Sequence, residues 1–579
     1  MYKILFSSLL LLSFSSFSQT NYYISQQTGS DSNDGLSPTT PFKTIKKYTK
    51  PSNGLMTPGD SVFLIGQFTN TSYDTSYSFS AINDAHLWHG ENTISLNNIN
   101  GNAANYITFL PYDSSTILHG DGGNIFRVQN SSYLNIIGFE IEGEVIRIPL
   151  STAFSVQFVY LDATTVDPKN PTLSEVLYRV QPGTSKAVIA ATTFPLLGSV
   201  NRPSYTDTRG MYLSNVHHIN IKNNNIHHMP GGGLRISECE YIWIRENEIH
   251  YNSLRSFSGT HGLVVTKAKS TDTTSGYKIW IERNKVHHNY NEVYSWAPTK
   301  TIITPHLDEG KGISMQRNQA SNGWLHGRIL IANNLCYWNG FSGVHSNDGD
   351  RMDFINNTCY MNSYTGTVTD TSENANNIGI SSSDGDGMRM INNIIVVDNS
   401  VGGFALSSKG NTGLVVKDNL IFGMNGGTLR TDPDVTSVEI NTQISDPKFI
   451  NPSAFNFGLQ NSSPAIGNAD VSFAPTLDLF GNTRDSSPDC GAIEGNGNTM
   501  SLIEKQLINL SVFPNPFTNQ IRITSEEEIK TISLYDMQGK LISSWNQNPS
   551  KSLVLDVQKV KAGIYLLLVN SNAQLIIKN

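Results

Sequence analysis

A short phrase repeated seven times between about residue 210 and residue 425 constrains this chain more than any other feature. Each copy opens on glycine and then alternates apolar with variable residues. The copies are Gly210-Met211-Tyr212-Leu213, Gly233-Leu234-Arg235-Ile236, Gly262-Leu263-Val264-Val265, Gly312-Ile313-Ser314-Met315, Gly343-Val344-His345-Ser346, Gly379-Ile380-Ser381-Ser382 and Gly403-Phe404-Ala405-Leu406. A second strand-like piece follows in each, ending on Asn224, Asn247, Asn284, Asn334, Asn357, Asn393 and Asn419. Alternation with period two specifies strands, not helices. A unit too small to bury its own apolar face must stack on its neighbours. The seven asparagines are then expected one above another in a buried turn, each amide bonding to the next coil. The fold class that follows is all-β, a parallel β-helix.

With 579 residues there is room for a further domain. A net charge of −8 excludes the basic face of a nucleic-acid binder. Residues 1–18 read as a secretory signal: Lys3, an apolar run from Ile4 to Leu12, and small residues Ser16 and Ser18 before Gln19. No later run approaches the ~20 apolar residues of a membrane span, so an exported monomer without a span is expected. Of four cysteines, Cys336 and Cys359 fall at equivalent places in successive copies. Adjacent parallel strands seldom offer disulfide geometry, so a stacked pair of buried thiols is expected.

Outside the repeats, several segments carry a family likeness. They are Tyr22-Tyr23-Ile24-Ser25, the polar run 29–35, Pro41-Phe42-Lys43-Thr44-Ile45, residues 58–64 and 133–139, and the closing pieces Ser463-Pro464-Ala465-Ile466 and Asp489-Cys490-Gly491-Ala492-Ile493-Glu494. Together they resemble exported right-handed β-helix proteins of the pectate-lyase-like superfamily. The resemblance implies a catalytic β-helix over 19–494, with insertions near 70–105, 145–200 and 287–311 and a closing segment that caps the last coil. Strand-like pieces are expected in the second insertion at 155–160 and 187–191. Residues 495–507 read as a linker. Val512-Phe513-Pro514-Asn515-Pro516-Phe517, Ile532-Ser533-Leu534-Tyr535-Asp536 and Gly563-Ile564-Tyr565-Leu566 resemble the C-terminal sorting domain of the Bacteroidota type IX secretion system. This second resemblance implies a small β-sandwich over 508–579, handling by that machinery, and a protein released or held outside the outer membrane.

Aligning the copies on glycine converts the sequence into a surface map, because strand side chains alternate between faces. Tyr212, Arg235, Val264, Ser314, His345 and Ser381 form one outward column; Glu238, Arg317 and Asp348 belong to a column further along each copy. Just before the glycines come Arg209, His261 and Lys311. The long loop ending at Lys311 brings Asp308 and Glu309 to the same place and carries Trp296, suited to stacking on a sugar ring. Adjacent carboxylates beside a lysine and a histidine are a source of split acid and base pKa values. The candidate catalytic residues are therefore Asp308, Glu309, His261 and Lys311. Candidate substrate-binding residues are Arg235, Tyr212, His345, Arg209, Glu238, Arg317, Asp348 and Trp296. The recurring pairs His217-His218, His227-His228 and His287-His288 border the asparagine turns and read as turn residues; no spacing matches a zinc site.

Basic residues along one groove of an acidic protein point to an anionic, uronic or sulfated, polysaccharide. The superfamily resemblance implies an enzyme that degrades one. Hydrolysis by paired carboxylates is the expected chemistry, since Thr266-Lys267-Ala268-Lys269-Ser270 only loosely echoes the Asn-Lys-Ser motif of related lyases. The alternatives are β-elimination with Lys311, His261, Arg235 or Tyr212 as base, and a glycan-binding solenoid without catalysis. A uronate epimerase would share the same features. No cofactor is required; calcium at Asp308 and Glu309, or in the polar run 29–35, is the alternative to plain turn hydrogen bonds.

Overall fold

The computed structural model describes residues 19–73, 90–157, 159–161, 177–179, 204–293, 309–363, 378–398, 404–424, 438–495, 511–513, 517–536, 541–570 and 572–578. The chain divides into two compact units, Met1–Gly495 and Asn496–Asn579.

The first unit is the expected solenoid. Each coil contributes a strand before a bend, a strand after it, and a third short strand; the third strands form an eleven-stranded sheet running from Gln67–Phe68 to Gln443–Ile444. Neighbouring rungs pair in parallel, for example Tyr212 with Arg235 and Leu213 with Ile236. In one coil Met211, Leu213, Ile219, Ile221 and Ile226 are fully buried and stack on their counterparts above and below. That continuous apolar column is what makes single coils interdependent.

Close approach of coils explains the opening glycines. A Cβ at Gly233 would meet the Gly262 carbonyl oxygen at 2.6 Å, and one at Gly312 would meet that of Gly343 at 2.6 Å. The seventh copy departs from the expected alignment: Ile378 pairs with Phe404 and Ile380 with Leu406, so Ala405, not Gly403, occupies the glycine place.

The seven asparagines form the expected ladder. Each side-chain amide donates to the carboxamide oxygen of the next, at 3.0 Å from Asn224 to Asn247, Asn247 to Asn284, Asn284 to Asn334, Asn334 to Asn357 and Asn393 to Asn419, and 3.1 Å from Asn357 to Asn393. The second amide hydrogen reaches a main-chain carbonyl of the preceding coil, as from Asn284 to Ile244. A second ladder, not anticipated from the sequence, runs through Asn252, Asn289, Asn339 and Asn362 with links of 2.8, 2.9 and 3.0 Å. Cys336 pairs in register with Cys359, and both are free thiols in the core.

Two of the insertions are narrower than expected, and the one at 145–200 has other elements than expected. Within 70–105, Asn92–Asn97 is a rung paired with the strand from Asn124, because Ile94 and Leu96 point into the core. Within 145–200, residues 155–157 belong to a helix, Leu150–Gln157, while Val159–Leu161 pairs antiparallel with Leu177–Arg179; residues 187–191 lie outside the described residues. Within 287–311, His287 ends a regular strand and Asn289 joins the second ladder, so the coil continues to Val293.

The closing segment also takes a different place. Instead of covering the end of the solenoid, it runs along its flank. Asn333 donates to the Leu477 carbonyl (2.6 Å), Asn356 to that of Asp489 (2.8 Å) and Asn392 to that of Asp470 (3.0 Å). These three asparagines hold left-handed backbone angles at the bends of successive coils, which turns their amides outward toward the segment. Arg484 is its buried centre, donating to Glu494 (2.6 Å), Asn333 (2.8 Å) and the Gly491 carbonyl (2.7 Å).

The second unit is an antiparallel sheet of Ser511–Phe513, Gln520–Asp536, Leu541–Asp556, Gly563–Val569 and Asn572–Lys578. Ile521, Ile523, Ile532, Leu534 and Leu567 make its core.

Candidate functional site

The mapped column keeps its register, with Tyr212 paired to Arg235, Arg235 to Val264, Val264 to Ser314, Ser314 to His345 and His345 to Ser381, but Val264, Ser314 and Ser381 are buried rather than on the surface. It begins earlier than expected, because Arg127 pairs with Tyr212 from the preceding rung. That coil has Ile125 where the later ones have glycine, so a search keyed on glycine passes over it.

Tyr212 sits among guanidinium groups. The Arg127 guanidinium lies over its ring at 3.9 Å from the centroid, and that of Arg209 at 5.8 Å. Arg127 is anchored by donating to the Tyr212 carbonyl (3.1 Å) and the Ser214 hydroxyl (3.0 Å). Arg209 is held by Asp207 at 3.5 Å, and Asp207 in turn accepts from Ser256 at 2.5 Å. Burial alone would raise the Tyr212 phenol. The hydrogen bond with Ser237 and the charges of Arg235, Arg127 and Arg209 outweigh it and bring the phenol below its ordinary value. Burial and the Arg209 charge depress the Arg235 guanidinium.

A second group lies downstream. Lys311 Nζ is 2.5 Å from Glu309 Oε2 and rests over the Phe341 ring at 4.6 Å. Glu309 Oε2 is also 3.5 Å from His261 Nε2. His261 is 2% exposed, and its Nδ1 accepts from the Lys311 main-chain amide at 3.3 Å. On its other side the ring's Nε2 faces Glu309 and lies 2.9 Å from the Gln316 side-chain nitrogen. Burial, then the charges of Lys311, His345 and Arg235, keep His261 well below the usual histidine range. His345 is lowered likewise, by burial and Lys311, and its Nδ1 lies 2.7 Å from the Ser381 hydroxyl. Both rings are therefore neutral near pH 7 and act as hydrogen-bonding groups, not as cations.

The structure thus gathers Tyr212, Arg235 and Arg209 into one group and His261, Glu309 and Lys311 into another on the same face. Glu238, Arg317 and Asp348 stand apart in the bend that follows, each with positive φ (53°, 56° and 54°). There Glu238 is 3.4 Å from Lys269 and Asp348 accepts from Asn347 at 3.1 Å. Asp308 and Trp296 lie outside the described residues. The polar run near the N-terminus uses its carboxylates for turns: Asp31 accepts from the Lys43 and Thr44 amides (3.0 and 2.9 Å), and Asp34 from that of Leu36 (3.0 Å). The second histidines of the pairs, His218, His228 and His288, occupy left-handed turn positions. Among the described residues no group of three or more His, Cys, Asp or Glu is arranged to hold a metal ion.

Residues 201–327 match the family described as right handed beta helix region, and residues 511–579 match the secretion system C-terminal sorting domain. No curated protein matches the sequence significantly. Among solved structures, a pectate lyase, Pel9A, aligns at 11% identity over 83% of this chain and 98% of its own, with a TM-score of 0.40. A lacto-N-biosidase from Eubacterium ramulus aligns at 11% identity over 73% of this chain and 67% of its own (TM-score 0.35). An alginate lyase from a Paenibacillus species aligns at 12% identity over 69% and 96% (TM-score 0.29). Such distant likenesses decide nothing about the reaction. The two family matches and the parallel rungs make this protein a right-handed parallel β-helix whose C-terminal sorting domain directs it across the outer membrane, to the cell surface or beyond.

Proposed function

We propose that the β-helix is an enzyme that depolymerises an anionic polysaccharide on the face lined by Arg127, Tyr212 and Arg235, and that it cleaves by β-elimination. The reading is carried by one observation: a phenol surrounded by three arginines, with its proton held less tightly than usual although it is half-buried. A uronate bound there presents its carboxylate to the guanidinium groups, which pair with carboxylates in planar, bidentate fashion. Their charge lowers the energy of the enediolate that forms when the proton next to the carboxylate is removed. Tyr212, as phenolate, takes that proton. The electron pair forms the new carbon–carbon double bond as the glycosidic C–O bond breaks. The departing oxygen takes up a proton, for which newly protonated Tyr212 is a donor on the same face.

Hydrolysis is the second reading. Glu309 beside Lys311 and His261 supports it as an acid, but its partner would be Asp308, outside the described residues. One assay separates the readings: alginate, pectate and sulfated polysaccharides are incubated with the protein while reducing ends and the ultraviolet absorbance of unsaturated products are followed together. Matched rises in both are expected. Reducing ends without absorbance would turn the assignment to hydrolysis at Glu309. No new ends on any polymer would leave a binding solenoid or an epimerase, which proton exchange at the uronate would distinguish.

A further inference from the structure

Beyond the bend at Asn215 to His218 the strands turn onto another face, and its outward residues form a column of their own. Asn135 pairs with Asn220, Asn220 with Trp243, and Trp243 with Trp280. The two indoles stack on each other, 4.8 Å apart and 7° from parallel. One face of Trp243 is therefore covered by Trp280. The other looks along the solenoid axis over two shorter side chains, Asn220 and Asn135. The step from a large ring down to two amides makes a cleft of about 490 Å³, closed on its far side by Asn105 and Tyr106 and bordered by Arg245.

Two polar atoms in the lining have no partner within the protein: the Asn220 side-chain oxygen and Arg245 Nε. A buried amide oxygen and a guanidinium N–H left unpaired are uncommon, because water is given up without replacement. Asn135 is engaged, donating to Thr108 at 3.0 Å, and Asn220 donates weakly to Asn135 at 3.4 Å. What the cleft offers is a flat apolar ring face bordered by the polar side chains of Asn220 and Arg245. Those are the complements of a pyranose ring, which presents C–H groups on its face and hydroxyls around its edge.

We infer that this cleft is a non-catalytic binding site for a single pyranose unit of a glycan, stacked on Trp243 and hydrogen-bonded by Asn220 and Arg245. It is independent of which reaction the Tyr212 face performs. It would hold the exported protein on glycan while the other face works.

The test is an isothermal calorimetric titration of the full chain with cellohexaose, laminarihexaose and hexaguluronate. A saturable response to at least one is expected. Trp243→Ala should weaken it at least tenfold, while turnover of a short soluble substrate stays unchanged. Asn220→Leu preserves side-chain volume and removes the orphaned acceptor, so its loss of binding at unchanged thermal midpoint separates recognition from misfolding. Tyr212→Phe should bind as the parent does, which keeps this site distinct from the proposed catalytic one. Binding retained in both Trp243→Ala and Asn220→Leu, or no saturable response to any of the three sugars, would overturn the inference.

Discussion

Two columns of the same solenoid obey opposite rules. The asparagine column repeats one residue through seven coils, every member buried and bonded to the next. The Tyr212 column changes at almost every rung, reading Ser95, Arg127, Tyr212, Arg235, Val264, Ser314, His345, Ser381 and Ser407. Identical spacing thus serves two ends. Where the side chain completes the hydrogen bonds of the turn, only one residue type fits. Where it points away from the core the residue changes from rung to rung, and a run of three consecutive large polar residues next to the buried Val264 and Ser314 is to be explained by function. Burial first, and then the charge of Arg209, lowers both the Arg127 and the Arg235 guanidiniums.

The strongest way to break that contrast is to exchange one member of each column. Tyr212→Phe should lower kcat/KM on the cleaved polysaccharide by ~10²–10⁴-fold, the range for losing a general base, with the melting temperature unmoved. A pH–rate profile of the parent should place the rising limb below the ordinary tyrosine range. Asn284→Ala should do the reverse. It removes bonds to Asn247, Asn334 and the Ile244 carbonyl inside the core. With ~1–3 kcal/mol for each buried group left unpaired, a loss of ~3 kcal/mol or more is expected by denaturant titration, without change in the activity of the folded fraction. Asn419→Ala at the ladder's end, which loses the bonds to Asn393 and the Met390 carbonyl but none to a following asparagine, should cost about two-thirds as much.

A smaller effect sharpens the comparison with the third strands, where His227, His250 and His287 stack at 5.0 and 4.8 Å. Burial, with the charge of neighbouring histidines, lowers His228 and His288 to about 4 and His250 to about 3. The folded state therefore binds fewer protons than the unfolded chain, whose histidines titrate near 6.5. Stability from keeping His228, His250 and His288 neutral is complete above that value and is lost as pH falls from there toward 3. Thermal midpoints measured over that window should decline, and His250→Gln should flatten the decline.

Much of this was legible because a β-helix writes its registry in one dimension. The glycine and asparagine positions predicted which residues stack, and the register of the Tyr212 column followed. The second asparagine ladder was equally legible, each member standing five residues after one of the first, yet it was missed where only the coils from Asn247 to Asn357 carry it. Arg127 escaped because its coil lacks the glycine, and Gly403 misled because Ala405 does the same work. The place of the closing segment was not legible at all. The bends that anchor it are marked by the pairs Asn333-Asn334, Asn356-Asn357 and Asn392-Asn393, but the pairs do not say which stretch of chain the outward amides will hold.

That flank segment changes how the molecule comes apart. A stack held only by nearest neighbours frays from its ends, and each loosened coil is a substrate for a protease. Here one stretch from Asp470 to Glu494 is tied to the coils at Asn333, Asn356, Asn392 and Asp418. None of these can open without releasing the strap, so four coils melt as one unit. For a protein exported across the outer membrane, that ties the exposure of these four coils to proteases to the release of a single segment.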